Sequence, residues 1–378
     1  MNPEKIIKET LKGAKCDKVQ KYKNLAIVPI LTSDFYEMDW HKFAEHNPQH
    51  AMIFGEFKRD PINYLTLEEA LKENVLEIHE TGNVNNLEVR NKSGKEILVV
   101  KGEYVIGGKQ NRMITVNAML DPNAKRIQIP VHCVEQGRWS RPGTFQAQMR
   151  RVSTAPSSLR SKTMKSFSGQ SGQNQTWCGV SEVLGDVGVR SNSSDCDQAF
   201  EGRKEDISDV VKKFTYFKDK QVGCVAAVNT GQETYFFVDM FDQPKTMEQQ
   251  YERLITSYAI DSLRYNTDSV KFSKADGQKL VNELMSADPR VSNSLSLGKD
   301  VELEKGHPNE IYGAALVHKD VMVYLGANIK LDSNNNRTRM DGPNRNNNTN
   351  HGTPRNQGSA YTTGNSMLIS RGDLFRRR

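Results

Sequence analysis

The chain has no run of about 18 apolar residues, so no segment reads as a membrane-spanning helix. Its first residues, MNPEKIIKETLKGAK, lack the apolar core of a secretory signal and read as a short charged helix within residues 1–20. There are five cysteines, Cys16, Cys133, Cys178, Cys196 and Cys224, and no C-x-x-C pair among them. That speaks against a disulfide framework or a cysteine zinc site and fits reduced thiols in a cytoplasmic protein. The spacings of a P-loop, of G-x-G-x-x-G and of G-x-S-x-G are all missing, which weakens kinase, classical dehydrogenase and lipase-type readings. HKFAEHNPQH gathers His41, Glu45, His46 and His50, but not as H-E-x-x-H. Asn47-Pro48 breaks any helix there, so no metal site is expected.

Net positive charge is scarce outside the C-terminus. The formal charge is +6, yet residues 331–378 hold eight arginines against three aspartates and no other charged group. The body is therefore almost neutral, which argues against a nucleic-acid face there. The tail is rich in Asn, Arg and Gly and nearly free of apolar residues. Its composition predicts disorder over 331–378, reading first as a solvating tail and second as a weak basic tether for an acidic protein partner or nucleic acid. Its RGD triplet, in a chain without a secretory signal, reads as chance.

What is present is a run of short strands. LAIVPIL (25–31) reads as a buried strand, and TLEEALKE (66–73) as a helix with capping-box spacing between Thr66 and Glu69. Then VLEIHE, NLEVRN, EILVVKG, RMITVNAML and RIQIPVHCV follow, divided by turn residues at Gly82-Asn83, Ser93-Gly94, Gly107-Gly108 and Asp121-Pro122-Asn123. This predicts an antiparallel meander or β-sandwich in a β-rich half spanning 21–150. Residues 151–175, dominated by Ser, Gln and Gly, read as a flexible loop. Residues 176–330 read as a second half of helices and antiparallel strands packed on the first. It includes a long helix over 246–264 and another over 274–286. The fold class is α+β.

Two stretches carry the chemistry, GEYVIGGKQNRM (102–113) and IPVHCVEQGRWS (129–140). Neighbouring strand ends in a meander can meet, so Gln110, Asn111 and Arg112 are expected to face Glu135, Arg138 and Trp139. Arg112 and Arg138 are forks for phosphate or carboxylate, and Gln110 and Asn111 are amides for polar groups. Glu135 is a candidate general base or ribose acceptor, and Trp139 a stacking face. The same residues are equally readable as paired charges and turn caps at a strand end. Cys133 is a weak nucleophile candidate. His132 beside it points to the opposite face of a strand, and valines flank the pair.

The run G-E-x-x-x-G-G-K-Q-N-R followed by I-P-V-x-C-V-E-Q-G-R-W resembles the ARG and Rhodanese-Phosphatase-superfamily-associated Protein family. VGCVAAVNTGQETYFFVDMFDQP (222–244) and LITSYAIDSL (254–263) are similar to it as well, over roughly residues 20–330. The resemblance implies a role in NAD or ADP-ribose metabolism, with ADP-ribose or a related nucleotide as ligand. It adds Glu103 and Cys133 to Gln110, Asn111, Arg112, Glu135, Arg138 and Trp139 as motif positions. It implies no particular cofactor and leaves catalysis open. The alternative is a non-catalytic interaction protein with a β-rich platform and a basic tail.

Overall fold

The computed structural model describes residues 2–32, 62–124, 126–137, 151–164, 169–216, 220–267 and 269–332, with side chains described from 172 onward in the fifth segment. Arg138, Trp139, the histidines of 41–50 and the tail from 333 lie outside the described residues.

The first described helix is α1 (Pro3–Gly13), capped by the Asn2 side chain, which accepts from the Glu4 N–H at 3.0 Å. Strands β1 (Lys15–Cys16), β2 (Gln20–Tyr22) and β3 (Leu25–Leu31) follow. β3 is not part of the meander that comes after it. It pairs antiparallel with β13 (Gln221–Asn229), nearly two hundred residues on, with Leu25 opposite Val228. From β13 the sheet continues through β14 (Thr234–Phe241), β18 (Val321–Lys330), β17 (Glu310–His318), β16 (Lys299–Lys305) and β15 (Asp288–Asn293). With β1 and β2 it has nine strands, all antiparallel. The division expected between residues 150 and 176 therefore does not separate two halves. Met1–Ser333 forms one compact unit.

Both faces of this sheet are covered, which explains why its strands read as unbroken apolar runs rather than alternating ones. On β3, Leu25 and Ile27 enter one core while Ala26, Val28 and Ile30 enter another. Ile6, Ile7 and Leu11 of α1, with Leu280 and Val281 of α8 (Lys274–Glu283), seal the second face. The first face takes α7 (Pro244–Leu263), which buries Met247, Tyr251, Leu254, Ile255 and Tyr258. At about 1.5–3 kcal/mol for each fully buried large apolar side chain, this one helix face is a principal source of stability.

The expected meander is present as a second β layer. β5 (Leu76–Glu80), β6 (Asn86–Asn91), β8 (Glu103–Ile106), β9 (Arg112–Ile114), β11 (Ile127–Cys133) and β12 (Arg151–Thr154) make a six-stranded sheet in the order β12-β8-β9-β11-β6-β5. β4 (Tyr64–Thr66), β7 (Glu96–Val99) and β10 (Ala118–Leu120) make a three-stranded sheet against it, with β4 parallel to β7. Leu87, Val89, Ile114 and Val131 from one sheet and Leu65, Ile97, Val99 and Leu120 from the other share a core. The capping box of α2 (Leu67–Lys72) forms as the sequence predicts, with Thr66 and Glu69 exchanging hydrogen bonds at 2.9 and 3.3 Å.

The Ser/Gln-rich stretch is a correction. Where composition predicts a loop over 151–175, the chain forms β12, then α3 (Ser157–Met164), and then enters α4 (Gly169–Asp186). α3 is anchored by polar contacts that apolar periodicity does not register. Arg160 makes a two-pronged ion pair with buried Asp239 at 2.8 and 3.0 Å, and the Ser158 N–H donates to Asp261 at 2.9 Å. Gly102 makes room for this anchor. Its φ of +92° suits glycine, and a Cβ there would run into the Arg160 side chain. After α4 come two short helices, α5 (Cys196–Gly202) and α6 (Lys204–Val211), broken at Arg203.

Candidate functional site

The two motif stretches do meet. The β8–β9 turn is shaped by Gly107 and Gly108, both with positive φ, and the Gly107 N–H donates to Asn111 Oδ1 at 3.0 Å. This aims the Asn111 peptide N–H at Glu135 Oε2, 3.2 Å away, just past the end of β11. The Asn111 carbonyl in turn accepts from the Val134 N–H at 3.0 Å. Gln110 Nε2 donates to the Glu135 carbonyl at 2.8 Å, and Gln110 Oε1 accepts from Arg112 Nη1 at 3.0 Å.

A third segment closes the group, and the sequence reading did not anticipate it. Asp195, the N-cap of α5, accepts from Asn111 Nδ2 at 2.9 Å and from the Asp197 N–H at 3.0 Å. Ser193 Oγ donates to Glu135 Oε1 at 3.2 Å. Gly137 lets the chain pass close to this segment. Its N–H donates to the Ser193 carbonyl at 2.8 Å, and a Cβ would lie 2.8 Å from Ser193 Cα. An Asp placed before a helix is a cap signal readable from sequence, but its second bond to a turn 84 residues earlier is not.

Among the described residues the group's charges and amides are buried and engage one another. Gln110, Asn111, Arg112 and Glu135 are each 3% exposed or less. The Arg112 guanidinium lies 3.6 Å from the Glu80 carboxylate on β5, with side-chain exposures of 1% and 5%. Burial pushes the Asp195 carboxyl up, and the neighbouring negative Glu135 and Asp197 add to the rise. So Arg112 has a resident counter-ion, and the Glu135 oxygens accept from a turn amide and a serine hydroxyl among the described residues. The arrangement clasps three chain segments together.

Cys133 is buried, and burial pushes its thiol up, which disfavours the thiolate a nucleophile needs. Its Sγ–H donates to the Glu135 carbonyl at 2.8 Å. Gln173 on α4 brackets the same peptide, accepting from the Cys133 N–H at 2.7 Å and donating to its carbonyl at 2.8 Å. His132, on the other face, has Nδ1 2.8 Å from Thr176 Oγ1. Burial brings its pKa down to about 4, with nearby Lys101 adding to the fall.

Glu103 joins different partners. At the start of β8 it accepts from the Val100 N–H and from Arg253 Nη2 of α7, both at 2.9 Å. Burial raises its carboxyl, and the Arg253 charge opposes that rise. Arg253 also donates to Gln250 Oε1 at 2.5 Å. Its Nε and Nη1 find no hydrogen-bond partner among the described residues. Arg253 lines a cleft of about 710 Å³ framed by α2, β12, α5, α6 and α7. Phe200, Ile207 and Val211 give this cleft an apolar wall, and Lys204 stands exposed at its side.

Among the described residues, no group of three or more His, Cys, Asp or Glu side chains is placed to hold a metal ion, and no helix is long and apolar enough to cross a membrane. The family model for the ARG and Rhodanese-Phosphatase-superfamily-associated Protein domain matches residues 13–327. Neither the curated proteins nor the solved structures gave a match.

Proposed function

Starting from the chain's membership of the ARG and Rhodanese-Phosphatase-superfamily-associated Protein family, we propose that it binds ADP-ribose or another NAD-derived nucleotide in the Arg253 cleft. The observation that carries this reading is Arg253 itself. It lines the cleft, is anchored through the motif residue Glu103 and lies 3.6 Å from Glu68, while its buried Nε and Nη1 make no hydrogen bond among the described residues. A diphosphate in the cleft supplies acceptors for these two donors once the side chain turns them toward it. The cleft volume falls within the roughly 300–1,000 Å³ usual for small-molecule sites, and its apolar wall suits a purine face. In this reading Gln110, Asn111, Arg112 and Glu135 fix the scaffold, and Glu103 is the link from the motif to the ligand.

Calorimetric titration of ADP-ribose into the full chain tests the proposal, with Lys204→Glu as the variant. Lys204 is exposed, so reversing its charge leaves the fold alone while placing a carboxylate beside the diphosphate. The expected outcome is binding that this variant weakens about tenfold, or about 1.4 kcal/mol. Absence of both heat and thermal stabilisation would reject it.

A second reading, a non-catalytic interaction protein, is favoured by the engagement of the buried motif side chains with one another. It predicts that deleting residues 331–378 abolishes partner association and leaves the stability of the body unchanged.

A further inference from the structure

At one end of the nine-stranded sheet, β15 pairs with β16 and, among the described residues, with no strand beyond it. The backbone groups that this edge offers follow from the register. Arg290 lies opposite Glu302 and Ser292 opposite Asp300, and the Ser294 N–H continues the ladder by donating to the Gly298 carbonyl at 3.3 Å. In an antiparallel ladder alternate residues exchange both bonds with their partners. The even-numbered residues of β15 therefore bond to β16, and the odd-numbered ones point away from it. The N–H and C=O of Val291 and Asn293, and the C=O of Pro289, face outward and make no hydrogen bond among the described residues.

The same edge leaves a core unfinished. Val291 is 39% exposed, and with Leu295 at 41% it makes up the exposed large apolar side chains among the described residues. Val291 is the last member of a row that crosses the sheet. It lies opposite Val301, which lies opposite Ala315, then Leu325, then Met240. Those four are buried in the core sealed by α1 and α8. The apolar row thus runs through β14, β18, β17 and β16 and off the free edge at Val291. On the other face of β15, Arg290 has its charge matched, 3.6 Å from Glu302 and 3.2 Å from Glu304.

The strand that completes such an edge carries an apolar residue on the face of Val291 and free N–H and C=O groups at the same spacing. β15 of a second copy has both. We propose that two copies of the chain pair antiparallel along β15, with Val291 facing its counterpart across a two-fold axis and the two large sheets joined into one. Val291 exchanges both bonds with its counterpart, and each Asn293 N–H donates to the Pro289 carbonyl of the other copy. Proline and charge are the usual blocks to edge pairing, and neither acts in this register. Pro289 is needed there as an acceptor, and the Arg290 charge is matched on the opposite face. The two apolar rows meet as a Val–Val cross-strand pair. One strand pair buries less than the roughly 1,600 Å² of a standard interface, so the dimer forms at about 10–100 µM chain. The inference rests on the β15 edge alone and stands whether or not the Arg253 cleft takes a nucleotide.

Sedimentation velocity of the full chain, from about 5 to about 300 µM, tests the pairing. The expected result is a shift from monomer to dimer mass with concentration, abolished by Val291→Lys. That position is exposed, so the variant keeps the fold while setting two ammonium groups face to face at the axis. A second variant reads the register. Facing residues that exchange both bonds have Cα atoms about 5.5 Å apart, within disulfide range. Val291→Cys, made with Cys178→Ser to remove the exposed thiol, should therefore form a disulfide-linked dimer under mild oxidation. Monomer mass over the whole range overturns the proposal. So does a dimer that Val291→Lys leaves intact, or a Val291→Cys chain that cross-links no faster than the Cys178→Ser chain alone.

Discussion

Replacing Glu135 separates a clasp from a catalytic carboxylate. In the structure Glu135 accepts from the buried Asn111 peptide N–H at 3.2 Å and from Ser193 Oγ at 3.2 Å. Glu135→Ala strands the peptide N–H, at about 1–3 kcal/mol, whereas the half-buried serine can turn to water at about 0.5–1.5 kcal/mol. Relief of the repulsion between Glu135 and Asp195 returns part of this, so a net loss of about 2–3 kcal/mol is expected. Glu135→Gln behaves differently. Its amide oxygen keeps the Asn111 bond, Ser193 reverses to accept from the amide nitrogen, and the repulsion with Asp195 is gone. Its loss should stay within about 1 kcal/mol. Urea unfolding followed by circular dichroism measures both, with the slope checked for constancy so that midpoint shifts report stability. A parent-like Glu135→Ala refutes the clasp. So does a Glu135→Gln variant of normal stability that no longer binds ADP-ribose, because it would make the charge functional.

Other outcomes follow from the same geometry. His132 has its folded pKa held at about 4, below the ordinary value, so it favours the folded state fully above about pH 6.5 and loses that contribution as pH falls toward 4. Between pH 7 and pH 4, urea unfolding should show a loss of about 3 kcal/mol that is absent in His132→Gln. Asp242 titrates in the opposite sense. Burial lifts its carboxyl to about 7, so its neutral form is the favoured one and stability falls as pH rises through 7. Asp242→Asn, which still accepts from the Tyr64 hydroxyl, should be more stable than the parent at pH 8, with the difference shrinking as pH falls and gone below about 3.8, the ordinary value of the carboxyl. Gly102→Ala forces an L-residue to a φ of +92° against Arg160, and a loss of about 2–4 kcal/mol is expected in thermal or urea unfolding.

Much of the architecture was readable because it depends on local chemistry. Thr66 and Glu69 form their box from spacing alone, and the turns at Gly82, Gly94 and Gly107-Gly108 all take positive φ. The meeting of GGKQNR with EQG follows from strand order in a meander, and the structure brings Asn111 and Glu135 together. The unread part depends on long-range pairing. Nothing local to LAIVPIL says that its partner is β13. The α3 segment hides its burial, because Arg160 and Ser157 enter the core by polar contacts with Asp239 and Ser257. The roles of Gln110, Arg112 and Glu135 were undecided for the same reason. A buried arginine and a ligand arginine look alike until Glu80 is found beside one of them. Arg253 carries no motif signal, and only its bond to Glu103 ties it to the residues the sequence singled out.

The central claim is that the motif builds the scaffold while the Arg253 cleft takes the ligand. Backbone hydrogen exchange of the full chain, with and without saturating ADP-ribose, tests it most directly. The account predicts slowed exchange in β12, α5 and α6, with the 107–112 turn and residues 133–137 unchanged by ligand. Slowing confined to 107–112 and 131–140, with α5 and α6 unaffected, would contradict it and return the ligand to the motif.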